Sequence, residues 1–145
     1  MRAVFDTNVL ARAYQAAHGP ARRALLEVIS GPHVLVLSSY ILRELERVLR
    51  YPRLAERSGL RPADISEYLE RLAIVSSLVA LEKVPADLLR DPEDAPILGT
   101  ALAGRADFLC TRDAHYYDAR ATTGNIFSPA LRAGIAIRNA PASAL

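Results

Sequence analysis

The feature that most constrains the fold is an alternation. Short, nearly continuous apolar runs are separated by longer stretches with helical spacing. The first run, Ala3-Val4-Phe5, ends in Asp6-Thr7-Asn8, and a helical pattern starts at Val9. Val34-Leu35-Val36-Leu37, residues 77–81 and residues 107–111 are further runs of this kind. Runs that are apolar throughout belong to strands buried on both faces, as in parallel sheets. Parallel neighbours need long crossover connections, usually helices, and helical patterns are what lies between the runs. The expected class is α/β, a single domain with a parallel sheet sandwiched by helices.

Turn and cap residues set the boundaries. Strand 1 covers residues 2–6. Helices are predicted from Val9 to Ala17, stopped by His18-Gly19, and from Pro20 to Ser30, stopped by Gly31-Pro32. A third, capped by Ser38 or Ser39, runs to about Arg50, ahead of Pro52. Pro62 starts another, with Ile65, Tyr68, Leu69, Leu72 and Val75 along one apolar face. Asp91-Pro92 opens the next, which ends near Gly104. A turn or short helix at 114–120, a fifth strand at Asn125-Ile126-Phe127 and a last short helix after Ser128-Pro129 complete a domain of residues 1–134. Residues 135–145, with Pro141 and small side chains, are expected to form a loose tail. Strand order does not follow from these patterns.

At 145 residues, with 51% hydrophobic and 23% charged side chains, the chain is large enough and apolar enough to bury one core. No run approaches the roughly 18 apolar residues of a membrane span, and no basic region precedes an apolar one at the N-terminus. The lone cysteine, Cys110, excludes an internal disulfide and suits a reducing compartment. The expectation is a cytoplasmic protein with no membrane partner.

Four of the 16 acidic residues stand out by position. Asp6 ends strand 1 and Asp113 follows strand 4 by two residues, so both lie beyond the carboxyl ends of strands. In open α/β sheets that rim is where ligands bind. Either could instead cap the helix that follows. Asp94 falls in phase with the apolar stripe Ile97, Leu98, Ala101 and Leu102 at 100° per residue, while Glu93 points about 100° away. A carboxylate in line with a buried face needs a partner. Asp91 is most simply a cap ahead of Pro92. On the helix after strand 2, Glu44 and Glu46 flank the apolar stripe on opposite shoulders. Glu46 has Arg43 and Arg50 as neighbours in a solvated arrangement. Glu44 has Tyr40, Val48 and Arg47, and the spacing leaves the choice open with a preference for Glu44.

The stretch Val4-Phe5-Asp6-Thr7-Asn8-Val9-Leu10 resembles the opening motif of PIN-domain nucleases. Ser38 to Leu49 with Glu44, Arg90 to Leu98 with Asp94, and Asp107 to Asp113 follow in the family's order, so the resemblance spans residue 2 to about 130. The size and the ending Ile126-Phe127-Ser128-Pro129 are similar to the compact prokaryotic type, many of which are toxins of toxin–antitoxin pairs. The resemblance implies a five-stranded parallel sheet in the order 3-2-1-4-5 and a metal-dependent endoribonuclease. It implies Asp6, Glu44, Asp94 and Asp113 as catalytic, metal-holding acids and Asn8 and Thr111 as supporting polar groups. Asp91 and Asp118 would act from further out, through water. The partners it implies are an RNA substrate and a small antitoxin, with a homodimer also open.

Four carboxylates in one pocket oppose one another's ionisation, and hard divalent cations relieve this. Mg²⁺ or Mn²⁺, one or two ions, would take oxygen ligands and keep several waters. His18, His33 and His115 are far apart in the chain and suggest no zinc pattern. All basic residues but Lys83 are arginine. Setting aside the four site acids of the 16 leaves 12 against 18 basic residues, a positive surface around an acidic pocket that suits a polyanion. A different class of reading is a catalytically weak or silent PIN-like module that acts through RNA or protein binding. A phosphohydrolase of the haloacid dehalogenase type also opens on a strand-end aspartate, but it needs a second aspartate where this chain has Asn8.

Overall fold

A computed structural model describes residues 1–15, 18–84, 92–111 and 136–139. Five strands form one parallel sheet: β1 (Arg2–Phe5), β2 (Val34–Ser38), β3 (Ser76–Val79), β4 (Phe108–Thr111) and β5 (Ala136–Asn139). Their order is β3-β2-β1-β4-β5, as the resemblance implies. The chain steps outward from β1 to β2 to β3, then returns to the other side of β1 for β4. This reversal puts a topological switch point at the carboxyl ends of β1 and β4, where ligands bind in such sheets.

Register fixes which residues reach that edge. Ala3, Val4 and Phe5 stand beside Phe108, Leu109 and Cys110, and Asp6 N–H continues the ladder to the Cys110 carbonyl at 2.9 Å. On the other flank Arg2, Ala3 and Val4 stand beside Val34, Leu35 and Val36. Because β1 is central, Val4 and Phe5 are buried from both faces, and so are Leu35, Val36 and Leu37 of β2 and Leu109 of β4. Continuous apolar runs are therefore needed in these strands.

The helices are α1 (Thr7–Gln15), α2 (Pro20–Ser30), α3 (Ser39–Leu49), α4 (Pro52–Ser58), α5 (Pro62–Val75) and α6 (Ala95–Ala103). Ile41, Leu45 and Leu49, four residues apart along α3, are fully buried. Val9, Leu10 and Ala13 of α1 and Leu98 and Ala101 of α6 join the same core. Close approach at the end of α6 depends on Gly104, where a Cβ would collide with the Val36 side chain of β2. No helix among the described residues is long and apolar enough to cross a membrane.

Three expectations change. Pro52, read as a stop signal, opens the short helix α4, because proline at the first helical position forfeits no needed N–H. The helix expected from Asp91 begins as a single 3-10 turn, Pro92–Asp94, that leads into α6. Within the stretch expected as a loose tail, Ala136–Asn139 is the edge strand β5, paired with β4 from Phe108↔Ala136 to Thr111↔Asn139, while residues 135 and 140–145 lie outside the described residues. Strand pairing satisfies the backbone groups that β4 would otherwise expose, a gain that composition does not reveal. The expected strand at 125–127 and the helical segments at 114–120 and after Ser128 lie outside the described residues.

Candidate active site

Asp6 is the first residue past β1, and its carbonyl accepts the N–H groups of Val9 and Leu10 at 3.0 Å to start α1. The strand end and the helix start thus fix its backbone together. Its side chain is held from the neighbouring strand: Thr111 Oγ1, at the end of β4, donates to Asp6 Oδ2 at 2.9 Å. Asp6 is 8% exposed and Thr111 is fully buried. Burial first, and then the Asp6 carboxylate, push the neighbouring Cys110 thiol up to about 11. Cys110 is therefore a protonated, buried packing group.

Two helices bring further acids to this edge. Ser38 ends β2 and caps α3, its Oγ accepting the Ile41 N–H at 3.4 Å. Thr100 of α6 ties the helices together, with Oγ1 2.8 Å from Ser38 Oγ and 2.7 Å from the Pro96 carbonyl. These buried hydroxyls set where α3 delivers Glu44 and where the turn before α6 delivers Asp94. Asp94 is 9% exposed. Its burial agrees with the helical-phase expectation.

Asp6, Thr7, Asn8, Glu44 and Asp94 line one cleft of about 440 Å³. Glu46 is not among the lining residues and pairs with Arg50 at 2.9 Å. Thr111 is not among the lining residues and reaches the cleft through its bond to Asp6. Asp113, Asp91 and Asp118 lie outside the described residues. The cleft also holds Tyr40, Arg47 and Glu93, none of which is among the expected metal-holding acids or their supporting polar groups. Tyr40, Glu44, Arg47 and Val48 lie on one stripe of α3, so the i, i+4, i+7, i+8 spacing was the available signal. Glu93 reaches the cleft because residues 92–94 form a 3-10 turn rather than the regular helix used for the projection. Of the tyrosines, Tyr40 lines the cleft, whereas Tyr14 packs on Tyr68 with ring centroids 4.5 Å apart.

Glu44 is not idle. Arg47 Nη2 stands 2.5 Å from its Oε1 and Arg47 Nε 3.0 Å from its Oε2. Hydrogen bonding to Arg47, and less strongly its charge, hold the Glu44 carboxyl below the usual range against the opposing effect of burial. Among the described residues no three Asp, Glu, His or Cys side chains converge closely enough to hold an ion by themselves. The donors present nonetheless fit a hard divalent cation. Apart from the Arg47 guanidinium and the Asn8 amide nitrogen, the polar side chains of the lining present oxygen: the carboxylates of Asp6, Glu44, Glu93 and Asp94, the Tyr40 hydroxyl, and the Thr7 hydroxyl, which is buried with no hydrogen-bond partner among the described residues. One or two carboxylates with water and substrate phosphate are the usual complement for Mg²⁺.

The PIN domain profile matches residues 2–115. Among solved structures, the chain is similar to one in the crystal structure of VapBC2 from Rickettsia felis bound to a DNA fragment from their promoter. The TM-score is 0.57 and the identity 14%, over 96% of this chain and 98% of that one. At that identity the likeness shows the fold. No curated protein matches. The profile covers most of the chain and includes β1, α3 and the turn before α6, and on it the chain belongs to the PIN domain family.

Proposed function

We propose that this chain is a metal-dependent endoribonuclease that hydrolyses phosphodiester bonds of single-stranded RNA. The observation that carries the reading is the meeting of Asp6 and Asp94, two buried carboxylates distant in sequence, in one cleft at the switch point of the sheet. Family membership supports a nuclease. Asp6 and Asp94 would hold Mg²⁺ or Mn²⁺, with Glu44 and, from the stretch after β4, Asp113 completing the set. When bound, one or two such ions would polarise a phosphoryl oxygen and supply hydroxide from water at neutral pH.

The chain's own residues orient and select. Thr111 fixes the rotation of the Asp6 carboxylate through its hydroxyl. Ser38 and Thr100 hold α3 and α6 so that their acids face one cleft. Asn8, exposed at the start of α1, offers an amide to a phosphate or a base edge. Tyr40 offers a ring on which an unpaired base can stack. An open cleft with walls of both charge and ring suits a single strand.

The likeness to a chain of the VapBC2 complex supports a role as toxin of a toxin–antitoxin pair, with a small antitoxin as partner. In this reading the protein works in the cytoplasm, where its RNA is. Its oligomeric state, for which the resemblance leaves a homodimer open, is read by light scattering. The test of activity is cleavage of end-labelled single-stranded RNA with Mg²⁺ or Mn²⁺, with a chelator, and with Asp6→Asn. Cleavage should need the metal and vanish in the variant while its circular dichroism is unchanged. Cleavage by Asp6→Asn at the wild-type rate overturns the assignment. RNA and Mn²⁺ binding without cleavage would favour the silent binding module.

A further inference from the structure

The proposed chemistry leaves Arg47 without a task, yet Arg47 engages both oxygens of a site carboxylate. Its Nη2 and Nε reach Glu44 Oε1 and Oε2 at 2.5 and 3.0 Å, and the pair lies in the same cleft as Asp6 and Asp94. Further along α3, Glu46 and Arg50 form a comparable pair, at i and i+4, that is absent from the cleft. The difference matters because a carboxylate whose two oxygens face a guanidinium offers little to a metal. It agrees with the lack of any three-acid convergence among the described residues.

The pair is built to open. It joins neighbours at i and i+3, and the Arg47 side chain is 63% exposed against 27% for Glu44. Such pairs are weak because water and salt screen them and ordering two long side chains is costly. A divalent cation, with twice the charge and a preference for carboxylate oxygen, competes well for Glu44. Once displaced, the guanidinium remains on the cleft wall beside the substrate path. Its planar fork then matches two oxygens of a phosphate.

Resting on the metal-dependent nuclease reading, we infer that Arg47 is an exchangeable counter-ion. It covers Glu44 until a divalent cation takes the carboxylate, and it then binds the RNA phosphate. One side chain thus couples the arrival of metal to the grip on substrate.

The inference is tested with full-length wild type, Arg47→Ala, Arg47→Lys and Arg50→Ala. Mn²⁺ affinity is read from the paramagnetic resonance of free Mn²⁺ without RNA, and KM for single-stranded RNA at saturating Mn²⁺. Arg47→Ala should bind Mn²⁺ more tightly, by up to about fivefold, the scale of an exposed ion pair. Its KM should rise by about tenfold, the scale of a lost charged hydrogen bond. Arg47→Lys should fall between on both readouts, and Arg50→Ala should match wild type on both. A merely structural Arg47 would not move the two readouts in opposite senses. Wild-type binding of Mn²⁺ with Arg47→Ala no tighter, or with KM unchanged, overturns the inference and spares the nuclease reading. A wild type that binds no Mn²⁺ overturns both.

Discussion

Replacing Thr111 by valine tests how Asp6 is held. The side chains are nearly the same size, so no cavity forms, but the hydroxyl that donates to Asp6 Oδ2 at 2.9 Å is lost. Both residues are buried, so the deleted donor is not freely replaced by bulk water. A hydrogen bond to a charged group contributes about 1.5–3 kcal/mol. Thr111→Ser keeps the hydroxyl and loses one methyl, at about 1 kcal/mol. Stability should therefore fall in the order wild type, serine, valine. With a urea slope of about 1–3 kcal/mol/M, the valine midpoint should drop by roughly 1 M, and its Tm by roughly 3–12 °C. Mn²⁺ affinity should fall in the same order, by tenfold or more for valine, as for other groups that orient a metal ligand. In an Asp6→Ala background the bond to Asp6 is absent from every variant, and the extra cost of valine should shrink by about the 1.5–3 kcal/mol assigned to that bond. A valine variant at least as stable as serine, with wild-type Mn²⁺ affinity, would refute the reasoning.

Further outcomes follow from the packing and the ionisable groups. Gly104→Ala places a Cβ against the Val36 side chain and 3.1 Å from the Thr100 carbonyl. It should lose about 1–3 kcal/mol by overpacking, which a urea titration will show. Asp64 accepts the Arg61 N–H at 3.1 Å and pairs with its guanidinium, and these bonds hold its carboxyl below the usual 3.8. A lowered folded value stabilises above the unfolded one and loses that contribution as pH falls through the folded value. The stability advantage of wild type over Asp64→Asn should thus be full above pH 3.8 and shrink in stronger acid. Cys110, with its thiol pushed up to about 11, should react with a thiol reagent at pH 8 roughly a hundredfold more slowly than in unfolded protein. Equal rates would place it at the surface.

Different residues of the site were legible to different degrees. Asp6 stood out because an apolar run that ends in an acid marks a strand's carboxyl end. Asp94 was legible because it directly precedes α6 and stands one turn before Leu98, which defines the buried side. Glu44 and Glu46 were not separable by phase, since each flanks the stripe of Ile41, Leu45 and Leu49. The packing of α3 against its neighbours turns Glu44 to the cleft and Glu46 away from it. Arg47 was visible only as a neighbour of Glu44. Nothing in the spacing says that it takes both carboxylate oxygens rather than lying along the helix.

Legible in the sequence alone were the class of fold, the positions of β1, β2 and β4, most helix starts, the strand-end place of Asp6 and the buried side of Asp94. These are properties of short windows, where apolar period and cap chemistry act over a few residues. The tertiary structure decided the rest: the place of β1 at the centre, the pairing of Ala136–Asn139 as an edge strand, and the meeting of Asp6, Glu44 and Asp94 in one cleft. Strand pairing satisfies backbone groups whatever the side chains are, so it leaves little trace in composition. A cleft shared by residues far apart in the chain exists only after the sheet has brought strand ends and helix starts to one edge.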